Sequence, residues 1–136
     1  MGTIDLLVVD DDNDVSETLR EILELEGYTV RVAGDGQQGL EQLLVRYPDL
    51  VLLDVEMPVM TGPQMAYRMF LDDLGREDIP IVLLTGVPDV RLVAAGVGTP
   101  YFLEKPYTLE QLLAVLGRAL VERRPPDRSH LQSAPH

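Results

Sequence analysis

Apolar runs in this chain stop at polar residues of different chemical types. Leu6-Leu7-Val8-Val9 ends at Asp10 and Asp11, and Leu50-Val51-Leu52-Leu53 ends at Asp54. Ile81-Val82-Leu83-Leu84 ends at Thr85, and Tyr101-Phe102-Leu103 runs on to Lys105, the only lysine present. An acidic pair, a lone carboxylate, a hydroxyl and an ammonium gathered in one place suit a divalent cation and a phosphoryl group. Carboxylates are the oxygen ligands a hard cation prefers, and a hydroxyl and an ammonium can both pair with phosphoryl oxygens. Each residue also has an ordinary alternative. Asp10 and Asp11 could form a turn and cap a following helix, Thr85 could bond its own loop, and Lys105 could be a surface lysine. Asp12 reads first as a loop residue or helix cap and second as an indirect partner of a metal.

Such a gathering requires the four runs to be parallel strands. Strand-like and helix-like segments alternate along the chain, the signature of a parallel sheet with helices on both faces. Strands are expected at Asp5–Val9, Tyr28–Ala33, Leu50–Leu53, Ile79–Leu84 and Tyr101–Glu104. The first helix is expected over Asp14–Glu26, with Val15, Leu19, Ile22 and Leu23 on one stripe and Gly27 stopping it. The second is expected over Gln37–Tyr47, and the third from Pro63 to about Leu74 with Gly75 as its stop. A short fourth helix falls at Val90–Ala95, and a fifth begins with Thr108 and Gln111 as a capping box. Three strands are uninterrupted apolar runs, as when helices cover both sheet faces. The second alternates and reads as an edge. Right-handed crossovers with one reversal allow the order 2-1-3-4-5, adopted here by similarity to flavodoxin-like folds, and that order would gather the ligand-binding residues at one sheet edge.

Composition narrows the function. The 136 residues carry 46% apolar and 25% charged side chains, as expected of one soluble domain with its own core. The net charge of −12 argues against direct contact with nucleic acid or anionic membrane. Cysteine is absent, so disulfides and thiolate metal sites are excluded. No apolar run approaches the roughly 18 residues of a membrane span, and the expected location is the cytoplasm. The domain is expected over residues 1–123. Residues 124–136 change to Arg, Pro, Ser and His and are expected to form a disordered tail, which makes His130 and His136 unsuited to phosphotransfer.

Val9-Asp10-Asp11-Asp12, Leu53-Asp54-Val55-Glu56-Met57-Pro58, Leu84-Thr85-Gly86 and Glu104-Lys105-Pro106 stand in this order, each at the end of a strand. Together they resemble the receiver domain of two-component response regulators, over about residues 4–121. The resemblance implies that Asp54 accepts a phosphoryl group from a phosphohistidine on a histidine kinase or a histidine phosphotransfer protein. It implies Mg²⁺ held by Asp11 and Asp54 directly, by the Glu56 backbone carbonyl, and by Asp10 mainly through water. Thr85 and Lys105 complete the phosphoryl cradle, and the Lys105–Pro106 peptide is expected to be cis, as in the family's Lys-Pro.

The same resemblance marks Glu56 and Val87 as tuning positions. Glu56 adds negative charge and apolar Val87 holds no attacking water, so a long-lived acyl phosphate is expected. Switching is expected to couple Thr85 to an aromatic on strand five, and the spacing of three before the lysine selects Phe102 over Tyr101. Phe102 is also a plausible core aromatic. The short interval between Thr85 and Lys105 leaves little room for a full fourth helix, which puts the usual signalling and dimerisation face in doubt. In this the chain is loosely similar to receivers attached to hybrid kinases. The expected state is a monomer or a phosphorylation-dependent dimer, with the downstream protein target unspecified. Two other functions remain. One is a small phosphohydrolase with an aspartyl-phosphate intermediate, although Asp54-Val55-Glu56 departs from the Asp-x-Asp of that class. The other is a receiver fold used only for docking. The expectation is a phosphoacceptor and not a turnover enzyme.

Overall fold

A computed structural model of the chain describes residues 3–73, 79–86 and 88–127. Strands and helices alternate: β1 (Asp5–Val9), α1 (Asn13–Leu25), β2 (Thr29–Ala33), α2 (Gly36–Val45) and β3 (Leu50–Asp54), then α3 (Gly62–Asp73), β4 (Ile81–Thr85), α4 (Val90–Val97), β5 (Tyr101–Glu104) and α5 (Leu109–Glu122). All neighbouring strands pair parallel, in the order β2-β1-β3-β4-β5. This is the expected doubly wound sheet.

Every residue of β1, β3 and β4 is buried, because each strand fills two cores. Leu7, Val9, Val51, Leu53 and Leu83 face α2, α3 and α4. Leu6, Val8, Leu52, Val82 and Leu84 point the other way, toward α1 and α5. The period-two alternation of a strand thus supplies both faces from one apolar run. β2 is only partly buried, as an edge strand should be.

Helix ends follow their caps. The Asp12 carboxylate accepts from the Asp14 and Val15 amides at 3.0 and 3.2 Å and starts α1, the cap alternative for that residue. Asp35 starts α2 by accepting from the Gln38 amide at 2.8 Å. That helix ends two residues before the expected Tyr47, where Arg46 becomes extended and sends its guanidinium to Asp5. α3 opens one residue before Pro63, on a reciprocal cap: the Gln64 amide donates to the Thr61 hydroxyl at 3.2 Å and Gln64 Oε1 accepts from the Thr61 amide at 2.9 Å. Its expected stop at Leu74 and Gly75 lies outside the described residues. β4 starts at Ile81, not Ile79, since Pro80 has no amide to give a neighbouring strand. α4 is longer than expected but still has only 8 residues. Gly96 lies inside it, and Gly98, at φ +89°, forms the left-handed cap. The Thr108–Gln111 capping box of α5 is formed.

The tail does not start as loose chain. Pro126 is buried, and the Asp127 amide donates to the Gly98 carbonyl at 2.8 Å. Residues 128–136 lie outside the described residues. Among the described residues no helix is long and apolar enough to cross a membrane.

Candidate functional site

The C-terminal ends of β1, β3, β4 and β5 bring Asp10, Asp54, Thr85 and Lys105 to one edge of the sheet. Ladder bonds continue into the site and fix its backbone: the Asp10 amide donates to Ala33 at 3.1 Å, Val55 to Leu84 at 3.3 Å and Lys105 to Thr85 at 2.8 Å. The loop after Asp54 folds back on itself, the Gly62 amide donating to the Val55 carbonyl at 2.9 Å. A Cβ at position 62 would overlap the Asp54 carbonyl, so only glycine permits this approach. The Lys105–Pro106 peptide is cis.

Three carboxylates converge. One oxygen from each of Asp10, Asp11 and Asp54 lies within 4.8 Å of the others. Asp10 and Asp54 are buried while Asp11 is exposed at the mouth. Lys105 Nζ stands 3.7 Å from Asp10 Oδ2 and 3.8 Å from Asp54 Oδ1, too far for a direct hydrogen bond to either. Asp10 Oδ1 accepts from the Asp12 amide at 2.9 Å, but its buried Oδ2 has no hydrogen-bond partner among the described residues. Burial, with the Asp10 charge next, pushes the Asp54 carboxyl up to about 6, against the opposing pull of Lys105. One ammonium thus faces three carboxylates. A spare buried acceptor, all-oxygen ligands and a carboxyl that resists ionising are the conditions a hard divalent cation relieves, and the residues fit one.

Thr85 is fully buried, with its residue pair in β5 at Glu104. Phe102 is half-buried two pairs earlier, opposite Leu83, and packs on the core that includes side chains of α3 and α4. Strand alternation puts Thr85 on that same face. Tyr101 is on the other face, fully buried, with its hydroxyl donating to Glu122 at 2.9 Å. The lysine spacing therefore separates two adjacent aromatics with different surroundings. Glu56 is exposed in the loop after Asp54, and Val87 lies outside the described residues.

Sequence spacing gives no sign of Tyr107. This half-buried phenol is raised in pKa by burial, then by the charges of Asp10 and Asp54, which sets it beside the acidic pocket. Its only sequence signal is being two residues past the lysine.

A doubly wound α/β domain with a carboxylate pocket at its switch point and a lysine across from it is built to take charge-bearing ligands there. Comparison with known proteins gives the family. A family model described as the response regulator receiver domain matches residues 6–117, and this chain belongs to that family, the phosphoacceptor switches of two-component systems. The chain is 41% identical over 131 residues to the response regulator MprA of Mycolicibacterium vanbaalenii, covering 95% of this chain and 55% of that protein. It is 41% identical over 124 residues to MprA of Mycobacterium leprae, covering 90% and 53%. The chain spans about half the length of these curated relatives. Among solved structures, the Vibrio cholerae chemotaxis protein CheY4 superposes with a TM-score of 0.77 at 30% identity, over 86% of this chain and 98% of that one. A CheY-like receiver domain protein of Methanospirillum hungatei gives 0.80 at 26% identity, over 90% and 97%.

Proposed function

We propose that Asp54 is the phosphoacceptor of this receiver, taking its phosphoryl group from a phosphohistidine on a cytoplasmic histidine kinase or histidine phosphotransfer protein. A carboxylate oxygen of Asp54 attacks phosphorus, the nitrogen–phosphorus bond breaks, and the imidazole leaves with the bonding pair and takes up a proton. The carboxylate becomes an acyl phosphate. The observation that carries this reading is the convergence of Asp10, Asp11 and Asp54 within 4.8 Å opposite a single ammonium.

Asp10, Asp11, Asp54 and the Glu56 carbonyl would hold Mg²⁺, which neutralises charge between nucleophile and phosphoryl group when bound. Lys105 pairs with a phosphoryl oxygen as negative charge gathers on it, a role supported by an Nζ beside the pocket that is not hydrogen-bonded to Asp10 or Asp54. Thr85 donates to a second oxygen, and its movement toward the phosphate is matched by Phe102, which shares its face of the sheet. Exposed Glu56 adds negative charge at the mouth, and with apolar Val87 it favours a slowly hydrolysed acyl phosphate.

Labelling with acetyl phosphate and Mg²⁺, followed by intact mass, tests the assignment. One phosphoryl group per chain is expected, absent in Asp54→Asn. Sustained hydrolysis of a generic phosphomonoester would instead favour a phosphohydrolase, and a protein that cannot be labelled would favour a docking module.

A further inference from the structure

The chain leaving α5 does not continue along the helix axis. Arg123 takes a left-handed φ of 53°, its amide closes the last turn on Ala119, and its Nη1 pairs with Asp49 Oδ1 at 3.2 Å. One residue earlier Glu122 accepts the Tyr101 hydroxyl, while the Arg118 guanidinium lies 5.2 Å from the centre of the Tyr101 ring. The end of α5 is thereby pinned to β5. From this anchor residues 124–127 run to the turn between α4 and β5, where Pro126 is buried and the Asp127 amide donates to Gly98. A Cβ at Gly98 would overlap the Asp127 carbonyl, so this glycine answers both a left-handed backbone and a close chain crossing.

α4 is held unevenly. Its N-cap, Asp89, makes no side-chain cap bond and itself has a φ of 61°. At the other end the Gly98 and Thr99 amides both donate to Ala94, and the Thr99 hydroxyl donates to the Ile81 carbonyl of β4. Ala94 and Val97 face the core on which Phe102 and Val93 pack. A shift of Phe102 is therefore transmitted to α4 through the core they share, and the C-terminal end of that helix carries the seat of the crossing chain.

We propose that residues 123–127 form a strap whose seat on the α4–β5 turn is coupled, through Phe102 and α4, to the state of the Asp54 pocket: seated before phosphorylation, released after it. The strap rests on the phosphoacceptor reading and adds its mechanical output. Because coupling between sites is reciprocal, loosening the strap must also favour the occupied pocket.

Amide hydrogen exchange by NMR on the full chain, with and without Mg²⁺ and beryllofluoride as phosphoryl mimic, tests it. The Asp12 and Val55 amides report on the pocket, Asp127 on the strap, and Leu116 within α5 serves as the control. Changed pocket amides with faster exchange at Asp127 and none at Leu116 are expected. Asp127→Pro removes the donor without touching α4, and should tighten beryllofluoride binding about threefold to tenfold, the worth of one net hydrogen bond. Responsive pocket amides with an unaltered Asp127, or an Asp127→Pro affinity equal to wild type, overturn the strap and leave Asp54 standing. Pocket amides that ignore the mimic overturn both.

Discussion

β1 opens on one aspartate, Asp5, and is followed directly by another, Asp10, and the two are treated oppositely. Asp5 and Asp10 are 8% and 2% exposed, and each keeps one buried oxygen without a hydrogen-bond partner among the described residues. Asp5 Oδ2 accepts from Arg31 at 3.1 Å and Arg46 at 2.7 Å. Nearby Asp49 accepts the Asp5 amide at 2.8 Å through one oxygen and pairs with Arg123 through the other. Three guanidiniums therefore face two carboxylates at that end. At the other end one ammonium faces Asp10, Asp11 and Asp54. Burial and residue type are alike, so the supply of counter-charge makes one end a closed tie between elements and the other a receptor for a cation.

Substitution can break this contrast or sharpen it. Asp54→Asn should have the largest effect, abolishing phosphoryl labelling while the tie around Asp5 stays intact. Lys105→Met should slow labelling by on the order of 100-fold, as for loss of one charged transition-state donor. It should also strengthen Mg²⁺ binding in a calorimetric titration, because the resident positive charge is gone. The paired exchange on β1 is the sharpest test. Asp5→Asn leaves Arg31 and Arg46 without a carboxylate and should destabilise the fold by about 2 kcal/mol in urea, below the cost of breaking a fully buried pair because Arg46 reaches solvent. Asp10→Asn removes repulsion and should stabilise the metal-free fold by about 1 kcal/mol while weakening Mg²⁺. Effects of the same sign would sink the charge argument.

A last expected effect is in pH. Asp54 holds its proton more tightly when folded, its carboxyl rising from 3.8 to about 6, chiefly through burial. Its contribution to stability is therefore whole below pH 3.8 and fades as pH climbs through about 6. Metal-free thermal midpoints of wild type and Asp54→Asn should differ in slope across that window. Mg²⁺ affinity should rise over the same interval as the carboxylate forms.

The sheet was legible because β1, β3 and β4 lie buried between two helical layers, which confines their polar residues to the strand ends. The pocket was legible because its residues end those runs. Contacts made across the fold were not. Arg31 reads as the polar side of an alternating edge strand, yet its guanidinium turns under the sheet to Asp5, Gln42 and the Arg46 carbonyl. Tyr107 carries no periodic signal, and the fourth helix, expected to end at Ala95, runs through Gly96 to the left-handed cap at Gly98, where the chain from α5 crosses. Local pattern sets the elements, while long-range partners decide the charges and the corners.

The lone ammonium of this chain has a practical corollary. An acylating reagent for primary amines can modify one side chain only, at position 105, besides the N-terminus. That amine is one-third exposed and lies between two acids, so its nucleophilicity depends on what else shares the cleft. The rate of its acylation, read by peptide mass, becomes a reporter of cleft occupancy that needs no engineered label.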